Sequence, residues 1–384
     1  MKKRKISIKK ILLTLIGLMF LGSAVYLGFL YLKTSEKVTK PKATEKEEIK
    51  EEVVEEPKEK RMSLVAVGDA LIHGAVFQDA YIGNGNYDFS GMFTSIAPLI
   101  QDYDLKYYNQ ETIIGGKDLG ISHYPMFNSP DEIGLNLIDI GFNMVSLATN
   151  HAMDKGEAGV LYSVNFWRNQ DVVVSGQNSS FEDREQNIQV YEKNGIKYAF
   201  LSYTEHTNGI DLPYGKEYLV NVYSDEQAKE DIEKIRDKVD VIIVAMHWGE
   251  EYTHVPTYSQ KREAEYLSSL GVNLIIGAHP HVIMPVGYVN DTLVIYSLGN
   301  FISGQSPLGI DKIIGLMVGL DIVVKENKVT FENINYKLLY TYSTSYYTNY
   351  KVIPFDELTD DILYNHDAYN EEYMSIVTSE VYYD

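Results

Sequence analysis

Four short blocks, far apart in the chain, join metal-binding or phosphate-binding residue types to the ends of apolar runs. They are Val67-Gly68-Asp69, Ala148-Thr149-Asn150-His151, Ala245-Met246-His247-Trp248-Gly249 and Ile276-Gly277-Ala278-His279-Pro280-His281. Each run reads as a buried strand, so each block is expected at a strand's C-terminal end, the edge where open α/β sheets bind ligands. One Asp, one Asn and four His converging there would make a site for a hard or intermediate metal. The chain has no cysteine, which excludes thiolate zinc sites, disulfides and cysteine nucleophiles.

The residue types assign provisional roles. Two residues apart on an extended segment, His279 and His281 would point to one side. Pro280 favours an extended His279. The pair fits one metal, or one metal and a phosphate oxygen. His247 closes an apolar strand, where a lone histidine is more often a satisfied core residue. Beside it, Trp248 offers a wall, Gly249 a close backbone approach, and Glu250 and Glu251 acceptors. Asn150 is a neutral oxygen ligand, and His151 can serve as a general acid. Asp154 either orients His151 or caps the helix expected from Gly156. Asp69 is a hard-metal anchor. Glu111, in Asn109-Gln110-Glu111, would supply a second carboxylate. Asn300, in Ser297-Leu298-Gly299-Asn300-Phe301, either packs beneath the site or touches the ligand. With two carboxylates and several imidazoles, two divalent ions about 3.5–4 Å apart would acidify bound water and clamp a phosphoryl group.

These residues need a scaffold. Strand-like runs cover Ser63–Val67, Leu105–Tyr108, Met144–Ala148, Val172–Val174, Tyr198–Tyr203, Val241–Ala245, Leu274–Ile276, Leu293–Tyr296 and Ile314–Ile322. Helical patterns cover Asp131–Ile140, Gly156–Asn169, Asp225–Lys238 and Tyr258–Leu270. Their alternation predicts an α/β sheet domain with ligand loops on one edge. From about Tyr336 tyrosines crowd the tail, read as edge packing or as platforms for a sugar or polymer.

The N-terminus adds a second expectation. Residues 1–10 carry Lys2, Lys3, Arg4, Lys5, Lys9 and Lys10. Ile11 to Leu32 then runs about 22 residues without a charge, enough for a hydrocarbon core of roughly 30 Å. An uncleaved transmembrane anchor is expected, its basic flank cytoplasmic and the rest extracellular. A cleaved signal peptide ending near Gly22-Ser23-Ala24 is the competing reading. Residues 33–61 are Lys- and Glu-rich and read as a solvated stalk. The main domain is expected over 62–340 and a Tyr-rich C-terminal extension over 341–384. A net charge of −20 argues against nucleic acid as a partner, because phosphate backbones need a basic face.

Taken together the blocks resemble the CapA-type family of capsule and poly-γ-glutamate biosynthesis proteins, a branch similar to the calcineurin-like dimetal phosphoesterases. The resemblance rests on Val67-Gly68-Asp69, Asn109-Gln110-Glu111, residues 148–156, His247-Trp248-Gly249-Glu250-Glu251-Tyr252, Gly277-Ala278-His279-Pro280-His281 and residues 297–301, in the family's order. It implies a four-layer α/β/β/α sandwich behind the membrane helix. It implies Asp69, Glu111, Asn150, His247, His279 and His281 as ligands of one or two Mn, Fe or Zn ions, and His151 as the acid or phosphate contact; Asp154, which the residue reading sets beside it, completes the expected catalytic pair. Trp248, Glu250, Tyr203, Asn208 and Asn300 are expected substrate contacts. Tyr203-Thr204 and Thr207-Asn208-Gly209 resemble a family loop beside the site, with Glu205-His206 as a variable insert. Two residues depart from the pattern. Leu71 stands where the superfamily has a histidine, which His73 is poorly placed to replace, and Thr149 stands where a second Asn is common.

The expected function is a membrane-anchored extracellular hydrolase or transferase acting on a phosphoester or cell-envelope polymer. The alternative is a non-catalytic export or assembly component for an anionic polymer, working with other membrane subunits of a polymer synthase.

Overall fold

The structure, a computed structural model, describes residues 8–35, 59–305 and 309–382. Two compact units divide the chain, Met1–Glu56 and Pro57–Asp384. In the first, α1 (Ile8–Ser35) is a helix of 28 residues over the stretch expected as an anchor. Among the described residues, no helix is long and apolar enough to cross a membrane. Most of the basic segment expected over 1–10, and most of the stalk expected over 33–61, lie outside the described residues.

The second unit runs β1 (Lys60–Leu71), α2 (Gly74–Asp79), the short pair β2 (Tyr81–Gly83) and β3 (Asn86–Tyr87), α3 (Ala97–Ile100), β4 (Leu105–Asn109), α4 (Asp131–Asp139), β5 (Met144–Ser146), α5 (Gly156–Arg168) and β6 (Val173–Ser175). It continues with α6 (Phe181–Gln186), β7 (Tyr191–Lys193), β8 (Ile196–Thr204), α7 (Asp225–Ile235), β9 (Val241–His247), α8 (Tyr258–Ser269), β10 (Leu274–Ala278), β11 (Val286–Val289), β12 (Thr292–Ile295) and β13 (Asn300–Ser303). It closes with β14 (Ile314–Lys325), β15 (Lys328–Tyr342), β16 (Lys351–Pro354) and α9 (His366–Val377).

Two sheets result. One has the order β16-β15-β14-β1-β4-β5-β6, with β13 also on β1; the other runs β11-β12-β10-β9-β8-β7. Strand alternation decides what each face meets. Leu64 and Ala66 on β1 join Ile243 and Ala245 on β9 in one buried cluster between the sheets. Their neighbours Val65 and Val67 turn outward onto Ile133 and Leu137 of α4 and Trp167 of α5. Ile242 and Val244 turn onto Ile232 of α7 and Leu267 of α8. Helices therefore cover the outer face of each sheet, giving a mixed α/β sandwich with helix, sheet, sheet and helix in succession.

The parallel pairings set the functional edge. β1 with β4, β4 with β5, β8 with β9 and β9 with β10 all run parallel, so their C-terminal ends emerge together. The fit there is close. A Cβ on Gly68 would meet the Gly299 carbonyl oxygen at 1.8 Å, where β1 exchanges its β14 pairing for β13.

Of the longest described strand, β15, the sequence signals only the end, where Tyr340 and Tyr342 would share one face. The strand pairs with β14 through a two-residue turn, Glu326-Asn327, both at positive φ (52° and 61°). Such a turn matches strand twist, but its usual marker is Asn-Gly or Asp-Gly. Beyond it β16 extends the same sheet, and Tyr373 of α9 packs into the inter-sheet cluster.

Candidate metal centre

Asp69 lies near the end of β1, and Asn109 is its register partner at the end of β4. Two residues later Glu111 enters the same space, its carbonyl accepting a hydrogen bond from Thr149 Oγ1 at 2.8 Å. The departure at Thr149 thus has a local use: it ties the Glu111 backbone to the Asn150 turn. His247 ends β9, while His279 and His281 follow β10. All six expected ligands are buried, none more than 4% exposed.

Within this space the donors form two groups that share one member. Atoms of Glu111, His247 and His279 lie within 4.8 Å of one another, and so do atoms of Asp69, Glu111 and His281. His247 Nε2 sits 3.0 Å from Asn150 Oδ1 and 3.9 Å from Glu111 Oε1. His281 Nε2 is 3.6 Å from Glu111 Oε1, and its Nδ1 is 3.3 Å from Asp69 Oδ2. Both Glu111 oxygens and His279 Nδ1 are buried without a hydrogen-bond partner. Buried polar atoms are rarely left so. Oxygen and imidazole donors converging on unpaired lone pairs fit a divalent cation.

The electrostatics agree. Burial pushes the Glu111 carboxyl well above the ordinary carboxylate range, with Asp69 adding to the rise. Burial also holds His247 and His279 well below the usual imidazole value, reinforced by neighbouring imidazoles. The contact of His247 with Glu111 is therefore a close approach of a neutral ring and not an ion pair. For His281, burial pulls downward but is outweighed by Glu111 and Asp69, and the ring rises to about 9. A cluster that holds its proton so awkwardly is suited to exchanging it for a cation.

The loop geometry corrects one expectation. His279 and His281 are not on an extended segment: their φ angles are 96° and 61°. Side chains other than glycine seldom adopt positive φ, and such strain concentrates at functional sites. The His279 amide, turned by this twist, donates to Asp69 Oδ2 at 3.3 Å.

His151 and Asp154 form a second pair on the rim. His151 Nδ1 lies 2.8 Å from Asp154 Oδ2, which also accepts the Phe127 amide at 2.6 Å. The Asp154 side chain caps no helix; α5 starts at Gly156, and its N-cap residue, Lys155, makes no side-chain cap. Asn208 Nδ2 is 3.4 Å from His151 Nδ1.

The expected substrate contacts divide. Trp248 is wholly buried, its Nε1 donating to the Tyr296 carbonyl at 3.0 Å, so it offers no wall to a ligand. Adjacent strand residues face opposite ways: His247 takes the site and Trp248 the core. Tyr203 is likewise buried, its hydroxyl donating to Asp231 Oδ2 at 2.9 Å. Asn300 Oδ1 lies 3.1 Å from His281 Nδ1 while its Nδ2 serves the Lys312 and His281 carbonyls. It positions His281 and has no donor left over. Glu250 is exposed. Leu71 and His73 line the adjoining cavity; burial lowers His73 to about 4, and it joins neither donor group.

Sequence reasoning missed Asn109 as a site residue. Its Nδ2 donates to Asp69 Oδ1 at 2.8 Å and lies 3.3 Å from His247 Nδ1. Its place as the last residue of a strand next to β1 was the available signal. Phe127, whose ring stands edge-on to His151 at 4.6 Å, carried no such signal.

The layers and the two donor groups at one sheet edge define an α/β sandwich protein with a candidate site for divalent metal. Residues 63–305 match the family described as bacterial capsule synthesis protein PGA_cap, and the chain belongs to that family. It is 31% identical over 179 residues to the PGA biosynthesis protein CapA of Bacillus subtilis (strain 168), a match covering 44% of each chain. With the capsule biosynthesis protein CapA of Bacillus anthracis it shares 30% over 172 residues, 44% of this chain and 41% of that one. The match thus spans less than half the length of either curated relative. Among solved structures it is similar to a phosphatase from Mycoplasma pneumoniae (TM-score 0.47, 16% identity, 74% of this chain and 95% of that one). It is also similar to the calcineurin-like phosphoesterase YfkN from Bacillus subtilis (TM-score 0.42, 15% identity, 73% and 91%).

Proposed function

We propose that the protein is a metal-dependent phosphoesterase-like hydrolase or transferase of cell-envelope polymer synthesis, tethered to the membrane through its N-terminal segment with its catalytic domain outside. The observation that carries this reading is the pair of donor groups sharing Glu111. Divalent cations bound there would supply charge neutralisation for a phosphoryl group and acidify water. Asp69, Glu111, Asn150, His247, His279 and His281 would hold them. Asn109 and Asn300 would keep Asp69 and His281 in place. His151, oriented by Asp154, would give a proton to the leaving oxygen. Support for a capsule role comes from family membership and from the names of the two relatives. Support for the tether comes from the uncharged run of Ile11 to Leu32 and the basic residues before it. A polymer intermediate and other membrane subunits are the proposed partners.

The test is metal analysis of the purified full chain together with hydrolysis of a chromogenic phosphodiester, with and without EDTA. Bound Mn, Fe or Zn and chelator-sensitive turnover are expected. Turnover unchanged in Asp69→Ala or His247→Ala would overturn the catalytic reading. It would favour the alternative, a non-catalytic assembly component. Recovery in the membrane fraction, lost on deletion of residues 11–32, tests the tether.

A further inference from the structure

A cavity of about 500 Å³ adjoins the metal centre, touching His281 on one side and His151 on the other. Its size is that of a small-ligand pocket. A ligand whose anionic head reached the donor groups would extend its body into this space. The remaining wall is set by His73, Tyr124, Phe127, Glu251, Tyr252 and Gln305. Phe127 is buried, whereas Tyr124 is 68% exposed and lies near it, the two rings 6.3 Å apart at 71°. Together they give an aromatic surface running from His151 to solvent. On the other side Gln305 Nε2 donates to the Tyr252 hydroxyl at 3.1 Å, and Glu251 brings an exposed carboxylate to the rim.

Apart from the histidines, the one charged side chain among the described residues of this wall is Glu251. Among the described residues that line it there is no Lys or Arg. Lys312 has its ammonium 4.6 Å from the centre of the Tyr252 ring and 3.3 Å from Asp311 Oδ2. Its charge is therefore already engaged. Recognition of a second phosphate or a row of carboxylates calls for Arg or Lys in reach, and like charges brought together are a means of rejecting a ligand.

We infer that the site takes a ligand with a single anionic head, held at the metal centre, and an uncharged or cationic body lying against Phe127 and Tyr124, with Glu251 rejecting bodies that carry further negative charge. This deepens the phosphoesterase reading and rests on it for the placement of the head. A monoanionic or dianionic phosphoester of a neutral or amino-bearing group fits the description. A polycarboxylate chain threaded along the cavity does not.

Binding of stable phosphonates tests the inference without turnover. The probes are phenylphosphonates bearing para-trimethylammonium, para-methyl or para-carboxylate groups, titrated calorimetrically into the full chain loaded with Mn²⁺. The trimethylammonium and methyl probes are expected to bind about tenfold or more tighter than the carboxylate probe. Glu251→Gln should narrow the gap, and Glu251→Lys should reverse the order. A carboxylate probe that binds the unaltered protein as tightly as the others would overturn the inference. So would an order untouched by Glu251→Lys, or no binding by any of the three. A protein that ranks the probes as expected yet hydrolyses no phosphoester would fail the catalytic reading alone.

Discussion

Asn109 and Asp69 face each other as register partners on neighbouring parallel strands, and the Asn109 amide donates to Asp69 Oδ1 at 2.8 Å. The same amide nitrogen lies 3.3 Å from His247 Nδ1, so one side chain braces a member of each donor group. Both contacts leave Asn109 Oδ1 buried without a partner. Removing such a brace typically costs about 10–100-fold in metal affinity. Asn109→Ala is expected to lower Mn²⁺ or Zn²⁺ affinity by that factor while the far-ultraviolet circular dichroism stays unchanged. Affinity within twofold of the parent would show that Asp69 and His247 need no such support.

Glu111 is the one member common to both donor groups, and its two oxygens are buried without partners. Its carboxylate is of most use to the fold once cations bind, so Glu111→Gln should show its effect in the response to metal. In saturating Mn²⁺ the parent should gain about 2.7 kcal/mol at a hundredfold excess over Kd, and the variant little. Thermal melts with and without metal decide it; an equal metal-induced shift in both proteins would remove Glu111 from the ligand set.

Much of this clustering was legible because the candidate ligands lie at or shortly after the ends of apolar strands. Asp69, His247 and the His279–His281 pair stand at strand ends that parallel pairing brings to one edge. What could not be read is what depends on which way a side chain turns. Trp248 follows His247 directly, yet alternation sends it into the core, where it stacks on Tyr296 at 5.9 Å. Tyr203 is sent to Asp231 for the same reason. The positive φ of His279 opposed a local rule, since a following proline favours extended backbone; here the contact of its amide with Asp69 prevails. The β14–β15 hairpin escaped notice because Glu326-Asn327 lacks the glycine that usually marks such a turn.

The His151–Asp154 pair makes a separable prediction. Asp154 touches neither donor group and acts through the ring it orients, Nδ1 to Oδ2 at 2.8 Å. If His151 supplies a proton to the leaving group, His151→Gln should lower kcat by roughly 10²–10⁴. Asp154→Asn should lower it less, with metal content unchanged in both. Substrates whose leaving groups need no proton, such as nitrophenolate, should be affected least. A loss of bound metal in His151→Gln would instead place His151 among the ligands.

Glu263 gives a stability test at a residue outside the two donor groups. On α8, its Oε1 accepts from Ser259 Oγ at 3.0 Å and from Arg262 at 3.3 Å, while Oε2 is buried without a partner. Glu205 shares the same Ser259 hydroxyl, and Asp225 is bound to Arg262 at 2.7 Å. Burial first, and the Glu205 charge second, raise the Glu263 carboxyl from 4.5 to about 7. The folded protein thus keeps a proton that the unfolded chain has released. Between pH 4.5 and 7 the unfolded state binds fewer protons, so stability falls as pH rises, and the full penalty is present above pH 7. Glu263→Gln carries no such penalty. It should match the parent below pH 4.5 and exceed it at pH 8 by about 1–2 kcal/mol, allowing for screening by solvent and by Arg262. Urea denaturation at the two pH values measures the difference. An advantage for the variant that is equal at both would mean that packing, and not the carboxylate's charge, sets its effect.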